Sequence, residues 1–297
     1  MRFLKEVPSI DFMRKRRWGF RISLLLIFIS ILAFTFRGKN SLGIDFTGGG
    51  LLNIYFSRSI PIERMRQFLN SLNIEAGIQG YEGGRGFIIR TRSQYIGKIK
   101  KELKKEFKDY SPDIREERKI GPVVGRLLRK QATLAFILAL AGMLIYLGWR
   151  FEWVFGSSAV LTLFHDVIIT VGISILAGRK ISVPMLAAFL TIVGYSVNDT
   201  IVVFDRIREN MKIKRGEPLE RIINLSINQT LSRTLLTSLT TLLAVLALYF
   251  LGSATIKDFS FAIAVGIVIG TYSSIFIASP LLLLWRKEKK RVGKRKR

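Results

Sequence analysis

Two neighbouring polar residues, Asn198 and Asp199, lie inside an apolar stretch that reads TIVGYSVNDTIVVFDRIREN at positions 191–210. A carboxylate inside a membrane span is costly, so it usually marks a functional site with a partner. Arg233 lies in the next apolar run, at a similar distance from the same end. Burial and a nearby guanidinium act on a carboxyl in opposite directions, which suits a group that loads and unloads protons. We therefore predict that Asp199 carries a proton, with Arg233 as its electrostatic partner and Asn198 beside it; a static buried ion pair is the alternative.

Three further ionisable residues are secondary candidates for a proton path. His165 and Asp166 are adjacent in another apolar run, and a histidine beside a carboxylate can shuttle protons. Adjacent residues on a helix point about 100° apart, however, so the two side chains need not touch. For this pair we favour a structural or subunit-contact role. Asp205 directly follows the apolar run that contains Asp199 and is a candidate for the inner end of a proton path, although such charges are most often solvated.

Hydroxyl-bearing residues surround the central carboxylate in the sequence. Thr191 and Tyr195 share a helical face with Asn198, and the next run adds several hydroxyls. The latter are Thr237, Ser238, Thr240 and Thr241. Such groups can hold a file of water molecules or simply form hydrogen bonds between helices, and the two roles are compatible.

The composition is that of a membrane protein. The chain has 297 residues, 49% of them hydrophobic, and its apolar residues are gathered into long runs. Its net charge of +26 lies largely at the ends of those runs and in no nucleic-acid-binding motif, so we predict no nucleic-acid partner. The sequence has no cysteine and one histidine, which excludes disulfides, thiolate metal sites and a histidine metal cluster. We predict no cofactor other than protons.

The apolar runs predict an α-helical polytopic protein with six transmembrane helices. The predicted segments are a cytoplasmic segment (1–17), a first span (18–35), an extracytoplasmic domain (36–130), five further spans within 131–285 (about 132–147, 154–177, 184–204, 227–251 and 259–285) and a basic cytoplasmic tail (286–297). The termini and the segments on their side hold about half of the 47 Lys and Arg residues, whereas the short opposite loops hold only Arg179, Lys180 and Lys257. Both termini are therefore predicted to be cytoplasmic. The tail is expected to contact anionic lipids.

The long loop after the first span reads as a small α+β domain. Its pattern predicts strands at 51–56, 75–81, 86–92 and 113–120, with helices at 61–72 and 93–108. Ser93 is the expected N-cap of the second helix. This βαββαβ order is that of a ferredoxin-like domain.

Two glycine motifs suggest close packing or motion. GIDFTGG at 43–49, which includes Gly43, Asp45, Gly48 and Gly49, follows the first span directly. It is interpreted either as a hinge between the domain and the membrane or as a tight turn into the first strand. Gly266 and Gly270 form a GxxxG pattern in the last span, which allows close helix contact within the chain or with a partner.

Four motifs together resemble the SecF family. They are GIDFTGG, LFHDVIIT at 163–170, VGYSVNDTIVVFDRIREN at 193–210 and QTLSRTLLTS at 229–238. SecF is the smaller subunit of the SecDF protein-export complex, within the resistance–nodulation–division superfamily. The resemblance implies a six-span, non-enzymatic subunit of the cytoplasmic membrane that pairs with a separate SecD chain and associates with SecYEG. It also implies use of the proton gradient to pull precursor proteins outward, with the aspartate of the ND pair and the arginine of the SRT stretch on the proton path.

Two other functions are weighed against this one. A related proton-driven exporter of small molecules or lipids would share the core, but such proteins usually carry larger outer domains and both halves in one chain. An intramembrane aspartyl protease needs two facing carboxylates, for which Asp166 and Asp199 are candidates, but its signature around the second aspartate is absent.

Overall fold

The computed structural model of the protein describes residues 8–284, which form two compact units. One unit contains Leu42–Ala135 and Ile181–Val183, and the other contains the remaining described residues. Each unit has its own hydrophobic core. The predicted segment 1–17 is described only from Pro8 onward, and the predicted basic tail 286–297 lies outside the described residues.

One long apolar helix comes first, the small sheet with its short helices follows, and five further long helices complete the described chain. In order, the elements are α1 (Arg16–Arg37), α2 (Ile44–Thr47), β1 (Gly49–Tyr55), α3 (Ile62–Ser71), β2 (Gly77–Tyr81), β3 (Gly86–Thr91), α4 (Ile96–Glu106), β4 (Asp113–Ile120), α5 (Pro122–Arg150), α6 (Trp153–Leu176), α7 (Val183–Ile213), α8 (Leu219–Leu251) and α9 (Ala254–Ser273). A π-helical segment, Ser274–Ala278, extends α9. Within the described residues, six helices are long and apolar enough to cross a membrane: α1, α5, α6, α7, α8 and the helix Thr255–Leu284.

Helices α7 and α8 continue well past their apolar runs. The reason is that buried apolar residues recur at helical spacing beyond the runs, as Phe204 and Ile207 do on α7 and Ile223 does on α8. Polar side chains join the two extensions, with the Asn210 amide donating to the Ser226 hydroxyl at 2.8 Å. A hydropathy window locates the apolar run, whereas the packing of one helix on another sets where the helix ends.

The small unit is built on a four-stranded antiparallel sheet in the order β2-β3-β1-β4. Helices α3 and α4 contribute to a core on one face, which is lined by Leu52, Ile54, Phe87 and Phe107 among others. The bounds of the elements fall within a few residues of the predicted ones, except at the start of α4. The expectation that Ser93 caps that helix is wrong, because a 3₁₀ turn, Ser93–Tyr95, precedes α4 and the capping position makes no side-chain hydrogen bond.

Candidate functional site

Asp199 is buried in the middle of α7, with 2% of its surface exposed. Its Oδ2 accepts a hydrogen bond from the Ser238 hydroxyl of α8 at 3.3 Å. Ser238 is in turn 2.7 Å from the Thr271 hydroxyl, which donates to the Ile267 carbonyl within α9 at 2.8 Å. The carboxylate thus begins a short line of hydroxyls that joins α7, α8 and α9.

Arg233 is close to Asp199 but does not bind it directly. The guanidinium acts electrostatically on the carboxyl, yet in the part of the chain that the structure describes the two groups form no direct ion pair. Arg233 is an exposed residue of α8, and Asn198 is an exposed residue of α7. Only the carboxyl of the predicted relay is therefore buried in this chain, and its two predicted companions lie at the surface.

An open groove lies beside Asn198, between α5 and α7. Its volume is about 470 Å³, and Gly142, Met143, Gly194 and Asn198 are among the residues that line it. A Cβ atom added to Gly194 would meet nothing within 4 Å. The face of α7 that carries Asn198 is therefore free to accept further groups.

His165 and Asp166 do contact each other, although their adjacency did not require it. His165 Nδ1 lies 2.8 Å from Asp166 Oδ1, and both residues are buried on α6. Asp166 Oδ2 also accepts hydrogen bonds from Ser196 of α7 and, at 2.8 Å, from Ser273 of α9. On the other side of the ring, Nε2 lies 2.8 Å from the Ser23 hydroxyl of α1. The pair therefore joins four helices of the membrane unit.

The last predicted ionisable residue, Asp205, lies at the border of the apolar region. Its Oδ2 is 2.8 Å from Arg150 Nη2, and its Oδ1 is 3.7 Å from Arg208 Nη1. About two-fifths of the Asp205 side chain is exposed (41%), so this group is paired at the surface. Its role at the end of a proton path stays a prediction.

The GIDFTGG motif forms a helical turn, α2, and the start of β1. Asp45 is buried, and its Oδ2 accepts the Val183 backbone N–H at 2.9 Å while Oδ1 lies 3.5 Å from Arg118 Nη1. Gly43 donates its N–H to the Ile181 carbonyl at 2.7 Å. Gly48 and Gly49 have φ values of 75° and 132°, which glycine adopts at low cost. The motif is a packed, hydrogen-bonded junction; its action as a hinge stays a prediction.

The GxxxG glycines bring α9 against α7 within the chain. A Cβ atom at Gly266 would lie 2.4 Å from the Ile192 side chain, and one at Gly270 would lie 3.0 Å from Ser196 Cβ. Of the two contacts considered for this motif, the structure forms the intramolecular one.

Comparisons with known proteins identify the family. Residues 98–288 match the family model described as "Protein export membrane protein SecD/SecF, C-terminal". The chain belongs to the SecD/SecF family. It is 44% identical to protein translocase subunit SecF of Desulfurispirillum indicum, over 93% of this chain and 92% of that one. It is 41% identical to the SecF of Thermodesulfovibrio yellowstonii, over 94% of this chain and 95% of that protein. These relatives, with the six apolar helices, make the chain a multi-pass membrane protein.

Solved SecDF structures share the fold. A crystal structure of SecDF from Thermus, titled "a translocon-associated membrane protein", is 39% identical and matches with a TM-score of 0.86. A SecDF crystal structure described as the super-membrane-facing form matches with a TM-score of 0.73. The chain spans only 40% of the length of either SecDF chain. It therefore corresponds to one part of SecDF, while it covers nearly all of the SecF relatives.

Several residues of this SecD/SecF site were not singled out from the sequence. Ser23 contacts His165, and Ser196 and Ser273 donate to Asp166. Thr271 and Tyr272 lie one step further out, where they contact Ser238 and Ser23. A signal existed for one of them, since Ser196 precedes Asp199 by three residues on the same helix face. The residues of α1 and α9 carried no such signal, because nothing local relates them to α6 or α7.

Proposed function

We propose that this chain is a SecF-like subunit of the Sec protein translocase that works with SecD and uses the proton-motive force. It promotes late steps of protein export across the cytoplasmic membrane. The observation that carries this proposal is a carboxylate, Asp199, buried inside a membrane-spanning helix of a chain that matches SecF relatives over nine-tenths of their length. In this proposal the subunit moves polypeptide without making a covalent bond, and a proton carried by Asp199 is its coupling ion.

The partner we propose is SecD, supplied as a separate chain. SecF relatives are matched over almost their whole length, whereas a SecDF chain is matched over about two-fifths of its length, which supports a missing half. We place that half against the exposed face of α7 and α8, where Asn198 and Arg233 lie. The groove beside Asn198 supports this placement. Association with SecYEG and with precursor proteins belongs to the same proposal, and no nucleic acid takes part.

The hydroxyl line beside Asp199 suits a group that gains and loses a proton. When Asp199 is protonated, its O–H can donate to the Ser238 oxygen. Ser238 then donates its own hydrogen to Thr271, and Thr271 keeps its hydrogen bond to the Ile267 carbonyl. When Asp199 is ionised, Ser238 turns its hydrogen to the carboxylate, and Thr271 turns its own hydrogen from the Ile267 carbonyl to the Ser238 oxygen. Both states thus find partners, and Arg233 favours the ionised one.

The remaining parts of the proposal concern the surroundings of this site. We infer that both termini are cytoplasmic, that the tail 286–297 contacts anionic lipids, and that the sheet unit lies outside the membrane. Its order β1-α3-β2-β3-α4-β4 and its sheet order β2-β3-β1-β4 support a ferredoxin-like assignment. One charge that crosses 100 mV supplies about 2.3 kcal/mol, enough to shift a two-state equilibrium more than tenfold.

The test is precursor export in membranes that contain the SecD partner and either the wild-type chain or Asp199→Asn, with and without a proton gradient. We expect the gradient-dependent part of export to vanish in Asp199→Asn, because an amide cannot release a proton. Glu209→Gln, on the exposed end of α7, is the matched control and keeps the gradient dependence. If Asp199→Asn assembles with SecD and still responds to the gradient, Asp199 is not the proton carrier.

A further inference from the structure

The sheet of the small unit ends on two edge strands, β2 and β4, and β4 is well protected against pairing with another chain. It reads DIREERKI, so every residue except two isoleucines is charged. It also contains a bulge, because its register against β1 shifts between Asn53 and Ile54 and leaves Arg115 without a paired residue on β1. Charged side chains and bulges are the usual means by which an edge strand avoids a further strand.

The other edge strand, β2, has none of these protections. It reads GIQGY, with no charged residue and no proline. It pairs with β3 on one side, and among the described residues no strand pairs with it on the other side. An edge of this kind is a template for an additional strand.

The register shows which backbone groups of β2 point away from the sheet. The N–H of Phe56 donates to the Arg85 carbonyl at 2.8 Å, so from Arg85 onward the odd-numbered residues of β3 face β1 and the even-numbered ones face β2. Those even-numbered residues pair with the odd-numbered residues of β2. The N–H and C=O groups of Ile78 and Gly80 therefore point away from the sheet.

Two glycines in β2 leave room beside this edge, and no contact inside the unit requires them. Neither Gly77 nor Gly80 has a positive φ, and both are exposed. A Cβ atom at Gly80 would come no closer than 3.6 Å to its neighbours, and one at Gly77 no closer than 4.0 Å, which is ordinary contact. Glycine weakens a strand and often marks a place where another backbone approaches closely.

A groove of about 700 Å³ lies beside the start of β2, next to α3. Arg66 and Asn70 of α3 line it, and Ile74, Ala76 and Ile78 supply apolar surface. Successive side chains of a strand point to opposite faces of the sheet, so alternate side chains of a strand added to β2 would point toward this groove. Its mixed lining selects no single type of side chain.

We propose that the edge of β2 binds an extended segment of a precursor polypeptide, which adds a strand to the sheet through the backbone groups of Ile78 and Gly80. In strand addition the main-chain hydrogen bonds give the affinity, so binding depends little on sequence. A precursor in transit presents such an unfolded backbone with varied side chains. The identity of this occupant rests on the proposed function in export, whereas the capacity of the edge to bind a strand does not.

The test measures binding of a fluorescent peptide of alternating valine and threonine, flanked by lysines, to the full chain in detergent. We expect binding by fluorescence anisotropy, with slower amide hydrogen exchange at Ile78 and Gly80 and no change along β4. The same peptide, N-methylated on its central residues, lacks the amides that pair, so it should bind about tenfold more weakly. If the chain binds neither peptide, or binds both equally, the proposal is wrong.

Two proline variants test the protein side of the contact. Gly80→Pro removes an N–H that points outward, which an edge strand tolerates, and we expect about tenfold weaker binding of the unmethylated peptide. Lys119→Pro is the matched control on β4, because Lys119 pairs with Gly50, whose backbone faces β3, so its N–H also points away from the sheet. It should leave binding unchanged. A loss in Lys119→Pro equal to that in Gly80→Pro would contradict β2 as the site, and the N-methylated peptide decides the matter if Gly80→Pro does not fold.

Two other occupants of this edge would give different results. A second copy of the chain would form a dimer that Gly80→Pro dissociates, as seen by sedimentation without peptide. SecD at this edge would protect the amides of Ile78 and Gly80 in the complex before any peptide is added. Either result overturns the assignment to a precursor. All of these measurements are made without a proton gradient, so Asp199→Asn should leave peptide binding unchanged, and a failure of the proposed proton coupling is distinguishable from a failure of this site.

Discussion

Asp166 and Asp199 are two buried carboxylates of one membrane unit, and their surroundings differ in kind. Asp166, 1% exposed, forms hydrogen bonds with three side chains, one each on α6, α7 and α9. Asp199, 2% exposed, has one hydroxyl at 3.3 Å, and its predicted companions Asn198 and Arg233 lie on the exposed face of the chain. Burial of a carboxylate is costly unless its oxygens accept hydrogen bonds or it is paired with a positive charge. The chain supplies three partners to Asp166 itself, whereas it supplies one hydroxyl to Asp199, whose carboxyl oxygens keep the capacity to bind a proton.

The largest effect that this comparison predicts is on stability at Asp166. Asp166→Ala would remove the buried carboxyl that His165, Ser196 and Ser273 share, and we expect a loss of about 3–5 kcal/mol in the free energy of unfolding. Asp199→Ala, which removes one long hydrogen bond, should lose only about 1 kcal/mol. Thermal unfolding of the full chain in detergent measures both. Equal losses, or a larger loss at Asp199, would remove the distinction between the two sites.

A smaller effect on stability is expected from substitution of two glycines, Gly266 of α9, which packs on α7, and Gly194, on the open side of α7. Gly266→Ala puts a Cβ atom 2.4 Å from Ile192, and overpacking of this kind costs about 1–3 kcal/mol. Gly194→Ala, on the open side of α7, meets nothing within 4 Å and should leave the unfolding of the isolated chain unchanged. Larger residues at 194 should instead weaken assembly with the partner, as measured by co-purification. Normal assembly of Gly194→Leu would show that this face is not the contact.

The smallest effect concerns an exposed carboxylate, which sharpens the contrast with both buried ones. Hydrogen bonds from Lys100 and Lys119 lower the pKa of Glu117 below its ordinary value of 4.5. A lowered pKa stabilises the folded state above that value, and the stabilisation is lost as the pH falls through the folded-state pKa. Because Glu117 and its partners are partly solvated, Glu117→Gln should cost less than about 1 kcal/mol at neutral pH and nothing in acid.

Hydrogen exchange of the β4 amides in the wild type and in Glu117→Gln, at neutral pH and in acid, checks that prediction. A cost at Glu117 that equals the cost at Asp166 would mean that burial is not what separates these carboxylates.

Much of the fold was predictable because it depends on local patterns. Apolar runs of about twenty residues predict spanning helices wherever they occur. The alternation and turn residues of 49–120 predict strands and helices close to those observed, from β1 to β4. The ends of α7 and α8 were not predictable in this way, since packing beyond the apolar runs sets them. The prediction of Ser93 as the N-cap of α4 was wrong because Ser93 begins a 3₁₀ turn that precedes the helix.

The sequence by itself determined which residues are costly to bury, namely Asp166, Asp199 and His165. It also determined the family to which the chain belongs. Only the tertiary structure decided what each of them touches. Ser23 and His165 are 142 residues apart, and Ser238 and Asp199 are 39 apart. Hydrophobicity is a property of a segment, whereas a hydrogen bond between helices depends on the rotation and depth of both. That is why the hydrogen bond from Ser238 to Asp199 came only from the tertiary structure, whereas Arg233 stays a predicted electrostatic partner without a direct ion pair.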